Sequence, residues 1–324
     1  MKRRTFAMGM FAGAISAGSA VSWAQQAYPS HPVRIMVAIA AGGSIDLVAR
    51  LVGQRLTDAL GQTFLVDNRP GGSGTIGTSL VAKAAPNGYT LLMAPSVHLS
   101  LHPSIFAKLP YDPVRDFAPV IKVAIQPSVL VVHPSAPFKT VKELVAFVKA
   151  NPGKLNYGGA SEGSPHHLSS VMFSSATETK MVYVPYKGGA LALADLLAAR
   201  VDLIFAPVPE ALRHIRAGKL RALAVMSLKR ASVLPDVSTM QEAGFSGLEL
   251  DTWIGLVAPA ETPSDIVRRL NNEVQKALRG DLRERFAEVG LDVAGGTPDE
   301  FAATIRNDIA VYARLVKDSG MAIQ

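Results

Sequence analysis

Between Val33 and Leu60 the hydrophobic period of the chain changes at a pair of glycines. Val33 to Ala41 is an apolar run interrupted only by Arg34, Gly42-Gly43-Ser44 breaks it, and Val48, Leu51, Val52, Leu56, Ala59 and Leu60 then recur at the spacing of one helical face. Gly61 stands where a glycine stops a helix. The stretch therefore reads as buried strand, tight turn and helix. Up to four backbone N–H groups at such a helix entrance lack helical partners, and the aligned peptide dipoles make it partly positive. It can hold an anion without a lysine or arginine, so we read this turn as one wall of a ligand site.

The unit recurs along the chain. Phe64 to Val66 is a short strand, Asn68 to Gly74 a second glycine-rich turn, Thr75 to Ala84 a helix, and Tyr89 to Met93 a strand that ends at Ala94-Pro95-Ser96-Val97-His98. Leu99 to Pro119, rich in proline and aspartate, reads as a connector outside the core. A second series follows: strand Val129 to His133, helix Val141 to Ala150 with the capping box Thr140/Glu143, strand Leu155 to Tyr157, loop Gly158 to Pro165, and a helix from about His166. Strand Val182 to Val184, loop Pro185 to Gly189, strand Val201 to Phe205 and a helix ending near Gly218 extend it, and Leu223 to Met226 leads the chain back. After strand Ile254 to Ala258 come three helices, the last opened by Thr297-Pro298-Asp299-Glu300, with Phe301, Ile305, Ile309, Tyr312 and Val316 on one face. Alternating strands and helices imply an α/β fold with parallel sheets, whose ligands bind off the carboxyl ends of the strands.

At the amino end, Lys2, Arg3 and Arg4 precede an apolar stretch from Phe6 to Val21 that closes on Ser22-Trp23-Ala24. That is a signal-peptide pattern, with cleavage expected after Ala24. Arg3-Arg4-Thr5-Phe6 also resembles a twin-arginine signal, so both export routes stay open. The leader holds three of the 33 basic residues and none of the 26 acidic ones, so its removal takes the net charge from +7 to +4. No dense basic run or aromatic-interleaved basic patch remains, which argues against a nucleic-acid partner. The chain has no cysteine, which excludes disulfides, thiolate nucleophiles and cysteine-bound metals.

Three kinds of chemistry find weak support. Gly72, Gly74 and Gly77 match G-x-G-x-x-G between a strand and a helix, but Ala85 to Ile105 lacks the acidic residue that would hold a ribose. His166 and His167 point about 100° apart on a helix, unlike the i, i+4 spacing that chelates zinc. One is expected to bond a loop or ligand and the other to pack. Serines abound, but no Ser-His-Asp order is marked. Gly158 to Pro165 and Tyr186-Lys187-Gly188-Gly189, by contrast, repeat from the second series the flexible helix entrance of the first. Several such entrances on two similar lobes favour a clamp on a ligand.

Ordered motifs then resemble one family throughout the mature chain. They are Ala41-Gly42-Gly43-Ser44-Ile45-Asp46, Asn68-Arg69-Pro70-Gly71, Ala84 to Leu92, Leu109-Pro110-Tyr111-Asp112-Pro113, Asn151 to Tyr157, Val184 to Gly188, Ala217 to Ala224, Leu234-Pro235-Asp236-Val237 and Gly295-Gly296-Thr297-Pro298. The resemblance is to the solute receptors of tripartite tricarboxylate transporters, the Bug-type receptors. It implies an α/β, two-lobed type II periplasmic binding protein fold, each lobe a mostly parallel sheet flanked by helices. After the leader (1–24), residues 25–123 and 251–324 would form lobe 1 and residues 124–250 lobe 2. The implied protein is a monomer and not an enzyme. It closes on a small carboxylate and delivers it to the large and small membrane subunits of a transporter, with no cofactor or metal.

Carried over residue by residue, Ala41, Gly42, Gly43, Ser44 and Asp46 would hold one carboxylate, with Ser96 and His98 nearby. Gly159, Ala160, Ser161, Glu162, Ser164, His166, Tyr186 and Gly188 would hold the other end. The chain departs from the family in two places. Glu162 replaces a neutral loop residue, and Ala206-Pro207-Val208 stands where relatives carry a polar Asp-Asn pair. Turned inward, Glu162 would disfavour a second ligand carboxylate; turned outward it is a solvated loop acid. The Ala206 change suggests a less polar far wall, compatible with an aromatic or aliphatic acid. A sensor that hands its closed form to a signalling receptor remains the alternative to transport.

Overall fold

The computed structural model describes residues 28–160 and 164–319. The expected leader, and Ser161, Glu162 and Gly163, lie outside the described residues.

The opening feature folds as its period requires. β1 (Val33–Val37) is almost wholly buried and α1 (Ser44–Leu60) ends at Gly61, left-handed at φ 71°, whose N–H bonds Thr57 O. Val48, Ala49, Val52 and Leu56 of α1 are buried in one core with Ile35 and Val37. β2 (Phe64–Asn68) and β3 (Thr90–Pro95) flank β1, both parallel to it, with α2 (Thr75–Ala82) between them in sequence. A parallel neighbour requires such a crossover, which leaves the loops after β1 and β3 at the same sheet end.

The stretch expected to be a connector is in fact core, which corrects the sequence reading. Val97–Leu101 is a π-helical turn running into α3 (His102–Ile105), and Leu99, Leu101 and Ile105 are fully buried. β4 then runs for 16 residues, Phe117–Val132, where only Val129 to His133 was expected. Pro119 and Pro127 concealed its first part, because proline donates no ladder hydrogen bond. Register shifts at Pro119/Ile121 and Lys122/Ala124 absorb the irregularity.

β4 joins the two halves of the sheet. Through Pro127 it pairs antiparallel with β9 (Asp251–Pro259), and from Ser128 onward with β7 (Leu203–Pro207) and β8 (Arg221–Val225). The path β2-β1-β3-β9-β4-β7-β5-β6 includes β5 (Asn156–Gly159) and β6 (Val182–Pro185), with the two-residue β10 (Asp292–Val293) on β4. The expected parallel pairing holds in β2-β1-β3 and β7-β5-β6, and the strands that cross between halves run antiparallel.

α4 (Val141–Ala150) opens on its expected box: Glu143 N–H donates to Thr140 Oγ1 at 3.2 Å and Lys139 N–H to Glu143 Oε2 at 2.6 Å. α5 (Pro165–Thr177), α6 (Gly189–Leu197) and α7 (Val208–Arg216) belong to the second half, α8 (Ser264–Arg279) and α9 (Asp281–Glu288) to the first. α10 (Pro298–Ser319) lies across both. Its Phe301 and Ile305 pack with Met36, Leu92 and Trp253, whereas Tyr312 and Val316 pack with Leu130, Phe173 and Phe205. Among the described residues no helix is long and apolar enough to cross a membrane.

Candidate ligand-binding site

A cavity of about 1130 Å³ separates the two halves. One wall is the β1–α1 loop with Pro70, Gly71, Ser73, Gly74 and His98; the other is made by the first turn of α5 and by one side of α6 and of α7, their first turns included. Four helices of nine residues or more thus direct their amino-terminal ends at one space. Their orphan N–H groups and dipoles make it anion-attracting before any side chain is considered.

The α1 entrance is the best supplied with donors. Gly42 takes φ 92°, a region open to glycine, and the first helical bond runs from Leu47 N–H to Gly43 O at 3.0 Å. Asp46 closes the loop from inside the first turn. Its carboxylate is buried and accepts the Gly42 N–H and the Arg50 Nε–H, each at 3.0 Å. Burial pushes this carboxyl up, but the Arg50, Gly42 and Asn68 hydrogen bonds outweigh it and hold the group below the usual carboxylate range. Asp46 therefore orders the loop that would meet a ligand, and it neutralises Arg50 in doing so.

His98 reaches the cavity through the second glycine turn. Gly74, at φ 93°, lies so close to the His98 ring that any side chain there would overlap it. Burial pushes His98 down to about 4, so the ring is neutral at pH 7, and its buried Nδ1 has no partner among the described residues. Tyr111 donates its hydroxyl to His98 O at 2.7 Å, so the 3.2 Å contact with His102 Nδ1 must have the histidine as donor. Burial, then the neighbouring His98, holds His102 well below its ordinary value too. The pair offers hydrogen bonds to a ligand but no charge.

In the second half, Pro165 has no N–H and Ser164 Oγ takes the His167 N–H at 3.3 Å, so α5 has fewer backbone donors to offer than α1. His166 compensates. Its Nε2 stands 3.2 Å from Glu210 Oε2, and the acceptor carboxylate makes Nε2 the donor. Its buried Nδ1 has no partner among the described residues. Gly189 makes room for this pair, since a Cβ there would collide with both Glu210 and His166. His167 turns away and packs on Tyr183, ring centroids 4.6 Å apart. The two histidines thus divide between a polar and a packing role, and no cluster of three metal-ligating side chains occurs among the described residues.

Of the residues singled out from sequence, Ala41, Gly42, Gly43, Ser44, Asp46, His98, Ala160, Ser164, His166 and Gly188 line the cavity. Ser96, Gly159 and Tyr186 do not. Ser96 is buried with its hydroxyl 3.5 Å from Tyr312 in α10, and the Tyr186 hydroxyl donates to Asp195 at 2.8 Å. Gly159 packs behind the loop, where Tyr183 and His166 would crowd a Cβ. Ser161 and Glu162 lie outside the described residues, as does the question of which way Glu162 turns.

Sequence reasoning missed Arg50, His102, Gln126, Glu210 and Arg213, all of which line the cavity. One signal was available: Pro209, Glu210 and Arg213 share a face of a short helix that follows a buried strand. The Gly72, Gly74 and Gly77 pattern is accounted for without a nucleotide. Gly74 accommodates His98, and a Cβ at Gly77 would stand 2.7 Å from Arg69 O and 2.8 Å from Ala38 Cβ.

The model of the tripartite tricarboxylate transporter family receptor, TctC, matches residues 48–321. Protein BugT of Bordetella pertussis is 36% identical across 99% of this chain and 98% of its own. The solved structure of R. palustris Rpa4515 with adipate is similar at TM-score 0.88 and 35% identity, over 91% of this chain and 99% of its own. MatC (Rpa3494) from Rhodopseudomonas palustris with bound malate gives 0.84 and 32%, over 89% and 100%. An α/β chain of two sheet halves and these likenesses agree: the protein belongs to the tripartite tricarboxylate transporter receptor family, whose members are solute-binding receptors rather than enzymes.

Proposed function

We propose that the protein is a periplasmic receptor that closes on a small carboxylated solute and delivers it to the large and small membrane subunits of a tripartite tricarboxylate-type transporter. The observation that carries this reading is the convergence of four helix entrances, from both halves of the molecule, on one cavity. The adipate and malate of the two similar structures support an acid as the solute. In this reading the lobes are residues 25–123 with 251–324, and residues 124–250. They hinge where β4 changes partners near Pro127 and where β9 starts beside it, while α10 limits the swing by packing on both.

The energetics are sufficient. Micromolar affinity needs about −8 kcal/mol. Charge-assisted hydrogen bonds contribute roughly 1.5–3 kcal/mol each and a helix entrance about 0.3–2, so four or five contacts suffice after association costs. A ligand that touches both walls stabilises only the closed arrangement, which is what drives closure.

Thermal unfolding of the mature protein, freed of copurified ligand, against mono-, di- and tricarboxylates tests the reading. A cognate acid at 100 times its dissociation constant adds about 2.7 kcal/mol and should raise Tm by roughly 5–10 °C. Absence of any shift across the panel, or chemical conversion of an acid during incubation, would contradict it.

A further inference from the structure

We infer that the α6–α7 wall of the cavity is a second subsite, holding the apolar body of a diacid and placing its far carboxylate on Arg213. The protein would then prefer diacids with an apolar spacer, whether an alkanedioate of about six or more carbons or an aromatic diacid, over compact hydroxylated ones. This inference rests on the receptor reading above and names the substrate class within it.

The first observation is where α6 turns its apolar stripe. Ala190, Leu193, Ala194 and Leu197 recur at i, i+3, i+4 and i+7, a pattern that ordinarily faces a core. All four also line the cavity: Ala190 and Ala194 are exposed to it, while Leu193 is buried in the core beneath α6 and Leu197 is half-buried against that core. At 1.5 Å per residue the stripe extends about 10 Å from the helix entrance, long enough for an extended chain or a ring.

The second is the order of charges along α7. Glu210 lies in its first turn, tied to His166, and Arg213 follows one turn later on the same cavity wall. Arg50, the cation of the opposite wall, is held 3.0 Å from Asp46, whereas Arg213 has no carboxylate within ion-pair distance among the described residues. Its Nε donates to His214 Nε2 at 3.0 Å, which turns the side chain and leaves the other guanidinium donors for a ligand. The acceptor role fits a neutral His214, pushed down by burial and by the nearby Arg213 and Lys219.

Minus then plus along one helix acts as a length criterion. A ligand anchored by one carboxylate at the helix entrances would bring a short second arm toward Glu210. Like charge disfavours that arrangement, while a longer arm reaches Arg213, roughly 4.5 Å farther along the axis. Selection thus comes from a repulsive and an attractive group together.

Calorimetric titration of the mature protein and of Arg213→Gln with succinate, malate, hexanoate and adipate tests this. The inference predicts that the parent protein binds adipate at least tenfold more tightly than succinate or malate. Arg213→Gln should lower adipate to the affinity of hexanoate, with hexanoate itself within twofold of the parent. Arg213 is exposed, so the substitution leaves the core intact. As a second variant, Leu197→Gln should weaken hexanoate and adipate alike. Succinate or malate binding as tightly as adipate, or an adipate-to-hexanoate ratio unchanged in Arg213→Gln, would overturn the subsite while leaving the receptor standing. Failure of every carboxylate to bind either protein would overturn the receptor reading and the subsite with it.

Discussion

Replacing Asp46 by alanine separates two readings of a negative charge beside an anion site, because they predict opposite signs. If the carboxylate is merely a like charge near the ligand, its removal should tighten binding. If it positions the β1–α1 loop, removal should weaken it. Asp46 is 4% exposed and accepts the Gly42 N–H, and a charge-assisted bond of that kind contributes about 1.5–3 kcal/mol. An acidic residue in a first helical turn adds about 0.3–1 kcal/mol. The Arg50 side chain is 54% exposed, so that ion pair contributes about 0–1 kcal/mol. Alanine returns up to about 0.7 kcal/mol in helix propensity. The net loss lies between about 1 and 5 kcal/mol, and its centre, about 3 kcal/mol, corresponds to roughly 6–12 °C in Tm. Asp46→Asn, which retains an acceptor but not the charge, should lose about half as much.

Titration of a cognate acid should then show affinity at least tenfold weaker in Asp46→Ala, about 1.4 kcal/mol. A tighter complex would refute the positioning role. The pH dependence gives an independent check. Because the folded carboxyl is held below its usual range, its stabilisation is complete above the unfolded value of about 4 and is lost as pH falls through the lower folded value. The Tm gap between the parent and Asp46→Asn should be constant from pH 8 to 5 and close below about pH 4.

Three further outcomes follow from the same geometry. Gly189→Ala should weaken acid binding fivefold or more with little change in Tm, since its methyl group separates His166 from Glu210 while helix propensity rises; unchanged affinity would mean the pair does not shape the site. Ser96→Ala should leave affinity within twofold by calorimetry, because its hydroxyl faces Tyr312 and not the cavity. His98, pushed down to about 4 against about 6.5 when unfolded, makes the unfolded chain the better proton binder, so it removes stability as pH falls from 6.5 to 4. His98→Gln should flatten that part of the Tm profile, whatever its effect at pH 8.

What could be read from the sequence was whatever local chemistry dictates. The change of period at Gly42-Gly43 located α1, and the Thr140/Glu143 and Thr297/Glu300 pairs located two helix starts to the residue. The stripe Phe301, Ile305, Ile309, Tyr312 and Val316 was also correct, but that its two ends serve different cores depends on contacts with distant strands. β4 was underestimated because Pro119 lies beside a bulge in β4 itself and Pro127 where its pairing with β9 ends, which are properties of the pairing and not of the strand alone. Ser96 was placed in the site by carry-over from the family resemblance, yet at the π-helical turn that follows β3 its hydroxyl faces α10. Arg213 escaped notice because an arginine on a short amphipathic helix ordinarily faces solvent, and only the neighbouring stripe of α6 shows that this solvent is a cavity.

Hydrogen exchange of the mature protein with and without a saturating acid tests the central claim most directly, because it reads every helix entrance in one experiment. The account predicts slower exchange together at residues 42–46, 166–168, 188–191 and 208–210, in both halves of the molecule, with the backs of the sheets unchanged. Protection confined to one half, or found away from all four entrances, would contradict a solute held between them.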